Sequence, residues 1–401
     1  MIWESTSKPR LRPVEAFRLP EGNGVGVRDR TGLSDVVLSL SEPSLHVMAL
    51  MDGGNTCEQI RRKFFTEFGQ TLADDTLASM LEHLDEAHFL DGPSFENYYQ
   101  SLLKEYRRKG VREMSCAEAL GIVDDSGDLF DEMLDEAGNV TANGRVVGLI
   151  APHLDYPRGR PCYAAAYSSL KNRDTPDRVV ILGTNHFGRS TSVVATANDF
   201  STPFGLTRTD VDFLEKLEAR CGQLRNFELD HAREHSIELQ VAWLQHLFGA
   251  DKFSIVAFLC PDPCGPTGTA PCDGRGVDLG EFAAALGELV AQDSQDTLIV
   301  AGADLSHIGA AFGDERTLDD AFLEEVAQRD RKALGELTAG DPFAFLRCVA
   351  DQDNPTRVCS AGCIFVLARV LPDASATLLG YHQAVDHPSQ TGVTCAAVML
   401  A

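Results

Sequence analysis

The chain has 401 residues, 44% of them hydrophobic, which suffices for a substantial core and suggests roughly two or three domains. Its 35 Lys and Arg face 60 Asp and Glu, a formal net charge of -25 that repels phosphate backbones and anionic bilayers and argues against nucleic acid as a partner. No apolar run reaches the ~18 residues of a membrane-crossing helix, and MIWESTSKPRLRP lacks the apolar stretch of an export signal, so a cytoplasmic protein with no membrane association and mostly reduced cysteines is expected.

In chain order, residues 10–93 read as a small unit with weak strands first and helices after. The β-branched content of LSDVVLSL predicts a strand over 33–40, Pro43 opens an apolar helical stretch, and Asp52-Gly53-Gly54 ends it as a turn. Thr56 with Gln59 fits a capping box for a helix in which Ile60, Phe64 and Phe68 share a face and Gly69 stops the run. Asp74 or Asp75 is placed to cap a third helix with the stripe Leu77, Leu81 and Leu84, and FLDG returns as a short strand.

Three helices flanked by strand pieces form a winged-helix pattern. With the phrases LMDGGNTCEQI and LEHLDEAHFLDG, residues 1–93 resemble the PqqD-like domains, whose family binds a leader peptide by strand addition. Residues 94–111 then predict an amphipathic connecting helix with a basic end, closed by Gly110.

From Val146 apolar strands alternate with helices: VVGLIAP, YAAAYSSLKN, RVVILGTNH, DVDFLEKLEARC, SIELQVAWLQHLFG, FSIVAFL, LGEFAAALGELVAQ, TLIVAGADL, LDDAFLEEVAQRDRKALGEL, SAGCIFVLARVL, ATLLGY and GVTCAAVML. This predicts an α/β fold with a buried central sheet over 112–401. The Pro- and Gly-rich stretch from Cys260 to Gly276 lacks CxxC spacing, so it reads as a surface insertion rather than a zinc knot. NDFSTPFG, from Asn198, reads as a structural turn.

Ligand sites in open α/β sheets lie at the carboxyl ends of strands, which directs attention to the polar residues there. VVGLIAP ends in His153, VVILGTN in His186, and LIVAGAD in Asp304 followed by His307. Cys359 precedes an apolar helix, and Glu234-His235-Ser236-Ile237-Glu238 opens another. Imidazole suits iron, copper and zinc, thiolate suits the same set, and three protein ligands with an open position form a catalytic arrangement. His231, His246 and His387 have no motif support and are expected at the surface or behind the site.

The segments IAPHLDYPRGRPCYAAAYSSL, VVILGTNHFG, EHSIELQVAWLQHLFG, VAGADLSHIG and RVCSAGCI resemble, in order and spacing, the Memo family, known in microbes as AmmeMemoRadiSam system protein B. The resemblance implies a central sheet flanked by helices, similar to class III extradiol dioxygenases of the LigB type. It also implies a divalent metal held by His153, His186 and Cys359, iron foremost with copper or zinc as alternatives, and Asp304, His307, His235 and Glu238 lining the pocket. His307 would then act as general acid or base with Asp304 orienting it, and Glu238 or His235 would fix a ligand tautomer.

In the dioxygenases a carboxylate stands where Cys359 falls, and an oxidisable cysteine argues against catechol cleavage. The Ser-Ala-Gly-Cys after it departs from the family's commoner form, and Cys363, one turn on, is a candidate disulfide partner or alternative ligand. Two functions follow: a non-haem metal-dependent oxidoreductase linked to a radical SAM enzyme and an AMMECR-type protein, or a non-catalytic peptide- or protein-binding accessory of such a system.

Overall fold

The computed structural model describes residues 3–19, 24–115, 127–138 and 144–401, and it divides into two compact units, Met1–Arg108 and Lys109–Ala401. In the first unit β1 (Val14–Arg18), β2 (Val25–Asp29) and β3 (Val37–Leu40) form an antiparallel sheet in that order, followed by α1 (Glu42–Ala49), α2 (Cys57–Phe68), α3 (Asp74–Glu86) and α4 (Pro93–Lys109). The Thr56–Gln59 capping box forms with both reciprocal hydrogen bonds, and Gly69 closes α2 at φ 65° in the left-handed region that glycine favours. The expected aspartate cap of α3 does not form, because both aspartates lie inside the first turn and Ala73 takes the capping position.

Helix α4 was expected as a connector, and it is instead built into the first unit. Phe95, Tyr99, Leu103 and Tyr106 are buried, Tyr98 Oη donates to Leu33 O, and the Arg12 guanidinium lies 3.5 Å above the Phe95 ring while pairing with Asp29. The apolar face read from the sequence is the reason: an amphipathic helix of this length needs a core to cover it.

The second unit contains β4 (Val111–Glu113), α5 (Gly127–Ala137), β5 (Gly148–Ala151), α6 (Tyr156–Ser168), β6 (Arg178–Thr184), β7 (Val194–Ala195), β8 (Asp199–Thr202), β9 (Gly205–Thr207), α7 (Val211–Cys221), α8 (His235–Phe248), β10 (Ser254–Cys260), α9 (Leu279–Gln292), β11 (Thr297–Gly302), β12 (Asp304–Gly309), α10 (Asp320–Thr338), α11 (Pro342–Ala350), α12 (Ala361–Val370), β13 (Ala376–Asp386) and β14 (Thr391–Leu400). The main sheet runs β12-β14-β5-β11-β6-β10-β7, with β13 paired to β14; β5, β11, β6 and β10 are mutually parallel.

These parallel strands are buried throughout, so alternate residues feed two cores. Val180, Leu182 and Phe258 pack toward α7, α9 and α12, and Val179, Ile181 and Ala257 pack toward α5, α6 and α8. The result is a three-layer arrangement whose strands read as continuous apolar runs. No helix among the described residues is long and apolar enough to cross a membrane.

Candidate metal centre

The parallel neighbours β5, β11 and β6 open their carboxyl ends on one edge of the sheet. His153 lies two residues past β5 and His186 two past β6, and Asp304 follows β11 after one residue. His235 begins α8, whose first turn presses on the strand ends because two strand positions lack side chains. A Cβ on Gly302 would lie 2.4 Å from Ser236 O, and one on Gly183 would lie 2.5 Å from Ser236 Oγ. Ser236 Oγ accepts from Thr184 N, and Ser360 Oγ accepts from Asp304 N, so the starts of α8 and α12 are hydrogen-bonded to the strand ends.

His153, His186 and His235 each offer a ring nitrogen, and these atoms all lie within 4.8 Å of one another, so the three could hold a metal ion. The ring centroids of His153 are 4.8 Å from His186 and 5.4 Å from His235, and His186 and His235 stack at 5.1 Å. The tautomers are set from behind. His153 Nδ1 donates to Gly302 O at 2.9 Å, and His186 Nδ1 donates to Glu234 Oε1 at 3.0 Å, leaving Nε2 of each ring to face the cluster. Cys359 Sγ stands 3.6 Å from His153 Nε2, and Asp304 Oδ2 stands 3.5 Å from the same atom.

The electrostatics follow from this crowding. Burial opposes charge on His153, yet Asp304 and Cys359 outweigh it and push the imidazole up to about 9. Burial likewise opposes the Cys359 thiolate, but His153 and His186 hold the thiol well below its ordinary range. His235 goes the other way: burial, against the pull of Glu234 and with two neighbouring imidazoles, lowers it to about 4. Glu234, buried but flanked by His186 and His235, is held far below the usual carboxylate range.

Of the seven expected site residues, His153, His186, His235, Asp304 and Cys359 come together. His307 sits on β12 with Nδ1 3.1 Å from Leu305 O, and its charge contributes to lowering the Cys359 thiol. Asp304 does not orient His307: one oxygen accepts from His153 N at 3.1 Å and the other faces the His153 ring. Glu238 does not fix a ligand tautomer either, since its carboxylate is buried in an ion pair with Arg112 and accepts from Ser115 N.

The carboxylate that does this work is Glu234, one residue before His235, which also accepts from Ser236 N as the cap of α8. Its place before an apolar helical run was the available signal. His231, expected at the surface or behind the site, is fully buried with Nε2 donating to Val194 O, His246 pairs with Asp131, and His387 is exposed. The cysteines of the described residues are free, and Cys363 turns toward Thr184 Oγ1 and Cys260 rather than joining a disulfide. A cavity of about 700 Å³ reaches Cys359 between the cysteine-rich stretch, through Asp262 and Cys264, and the turn holding Asp353 and Arg357.

Fold and site together define a mixed α/β protein with a three-imidazole cluster and an adjacent thiol at the carboxyl edge of a parallel core. The chain belongs to the Memo-like protein family, whose profile matches residues 126–399. It is 26% identical to a MEMO1 family protein of Aquifex aeolicus across 98% of this chain and 99% of that one. It is 28% identical to another from Thermus thermophilus across 86% of this chain and 99% of its length. A solved structure of an uncharacterised Escherichia coli K12 protein overlaps 64% of this chain and all of its own at 14% identity with a TM-score of 0.39, a likeness too slight to carry an argument.

Proposed function

We propose that the chain is a metal-dependent oxidoreductase of the non-haem type, with iron as the resident ion and copper or zinc as alternatives. The observation that carries this reading is the commitment of Nδ1 on both His153 and His186 to acceptors behind them, which aims two Nε2 lone pairs at one point beside His235 and Cys359. His153 and His186 would hold the ion, with Cys359 and His235 completing the set, and a bound iron would supply electron transfer to oxygen or a reducible substrate. The mixed imidazole and thiolate donors fit iron, copper and zinc and disfavour calcium and magnesium, which take oxygen ligands. His307, on β12 three residues after Asp304, is the residue assigned to proton transfer.

The test is elemental mass spectrometry on anaerobically purified protein beside His153→Ala, His186→Ala, His235→Ala and Cys359→Ala. Near-stoichiometric iron, lost in the first two variants and weakened in the others, supports the reading. Metal indifferent to all four changes overturns it.

A second reading makes the chain an accessory protein whose PqqD-like, winged-helix first unit captures a peptide for a radical SAM enzyme and an AMMECR-type partner. Strand β3 favours it, because it pairs with β2 on one side only among the described residues and carries Val37 at 56% exposure. Calorimetric titration with leader-type peptides, compared between the chain and a Leu38→Pro variant that breaks the strand, decides this reading. Equal or absent heats would remove it.

A further inference from the structure

A buried carboxylate outside the centre is linked by hydrogen bonds to the turn that precedes Cys359. Asp330, on α10, is 3% exposed, and three hydroxyls converge on it: Ser306 Oγ donates to Oδ1 at 2.7 Å, while Thr394 Oγ1 at 2.6 Å and Tyr381 Oη at 2.8 Å donate to Oδ2. No salt bridge reaches it among the described residues, and burial pushes its carboxyl up from the ordinary value against the three hydroxyl donors and the charge of Arg329. Its direct side-chain partners are hydroxyls.

Those hydroxyls lead to the site. Ser306 lies in β12 between Asp304 and His307, where the pairing with β14 shifts register, and Thr394 Oγ1 accepts from Ser306 N at 2.9 Å. Ser306 Oγ is also 2.8 Å from Thr356 Oγ1. The same turn is clamped through the main chain: His307 N donates to Thr356 O at 2.7 Å, and Arg357 Nε donates to His307 O at 3.2 Å.

The turn itself is strained. Gln352, Asp353, Asn354 and Arg357 have φ of 60°, 60°, 50° and 55°, a left-handed region that residues with side chains rarely occupy. Such a turn keeps its shape only where its surroundings impose it, and Cys359 stands two residues beyond it.

We infer that Asp330 is a positioning residue: by fixing the Ser306–Thr356 contact it sets Cys359 against the imidazoles. It touches none of the metal-facing atoms and acts through Ser306 and the 352–357 turn. The inference rests on Cys359 serving the proposed metal site, and it predicts that the thiol is displaced when Asp330 is lost while the histidines, anchored on β5, β6 and α8, stay in place.

The experiment uses the full chain with Co²⁺ as the probe, reading the thiolate-to-cobalt charge-transfer absorption, and separately uses metal-free protein, reading iodoacetamide alkylation of Cys359 by peptide mapping. Asp330→Ala is expected to bind Co²⁺ with the charge-transfer band reduced, and to change the Cys359 alkylation rate about tenfold, as follows when buried donors lose their shared acceptor. Asp330→Asn, which keeps one carbonyl oxygen, should recover part of both.

Wild-type band and alkylation rate in both variants overturn the inference. If Asp330→Ala does not fold, Ser306→Ala and Thr394→Val, each removing one arm, decide by the same two readings. If wild-type protein shows no Co²⁺ band at all, the metal reading fails, and the alkylation rates alone decide the role of Asp330.

Discussion

His186 and Glu234 are joined twice: His186 N donates to Glu234 Oε2 at 3.0 Å, and the ring Nδ1 donates to Oε1 at the same distance. One carboxylate therefore fixes the main chain, the ring orientation and the tautomer of a histidine of the three-imidazole cluster, while also capping α8 through Ser236 N. Glu234→Gln keeps an acceptor oxygen and removes the charge. Metal affinity is expected to fall about 10- to 100-fold, the range for partners that orient a ligand, measured by competition with a chromophoric chelator. Unchanged affinity would mean that His186 does not bind the ion.

Gly302 makes room for the first turn of α8, and a Cβ there would meet the Ser236 carbonyl. Gly302→Ala should destabilise the protein by about 1–3 kcal/mol through overpacking, and should weaken metal binding as well because His235 adjoins the displaced residue. Gly335→Ala is the matched control, since a Cβ there meets nothing within 4 Å. Urea unfolding of the two variants with matched metal titrations separates the outcomes, and equal stability of both would refute the close-contact account.

Arg112 and Glu238 form a buried ion pair at 2% and 1% side-chain exposure, and Arg112 also donates to His231 O and Glu234 O. Arg112→Ala leaves a buried carboxylate without its cation and is expected to cost about 3–5 kcal/mol in urea unfolding. In a cycle of Arg112→Met, Glu238→Gln and the double variant, the double should lose clearly less than the sum of those two single changes. Additive losses would show that the two side chains are not coupled.

His231 gives a pH signature of its own. Burial holds its imidazole down at about 4 in the folded state, against about 6.5 unfolded. The unfolded chain thus binds more protons between those values, so this contribution to stability is complete above about pH 6.5 and is lost as pH falls toward 4. The difference amounts to at most about 3 kcal/mol. Denaturant midpoints at pH 7.5 and 5.5 should converge in His231→Gln relative to the native protein. A gap of the same size in both would assign the effect to other groups, His235 foremost, which is also lowered to about 4, whereas His153, raised to about 9, works in the opposite sense.

Much of this was legible before any coordinates. The apolar strands of the parallel core and the helices between them follow from the alternation of apolar runs along the chain, and His153, His186 and Cys359 stand out as polar residues beside those runs. The tautomer role that the family resemblance offers to Glu238 falls to Glu234, because the residue capping α8 faces the end of β6 while Glu238 pairs with Arg112. The resemblance pairs Asp304 with His307, but the Asp304 carboxylate turns to His153, and a register shift in β12 lies between the two residues. Helix α11 was missed since PFAFLRCVA is short, and its signal, Pro342 after an aspartate cap, is local and weak.

Cys359 lies 206 residues from His153 along the chain, and the positions of His186 and His235 fall between them. During synthesis, a chain that has emerged only as far as α9 already contains all three imidazoles but has neither the thiol nor the strand β12 that carries Asp304. The rings therefore precede in the chain both β11, whose Gly302 carbonyl accepts from His153 Nδ1, and the residues Asp304 and Cys359 that stand against that ring, so the cluster is completed only by segments from both ends of the second unit.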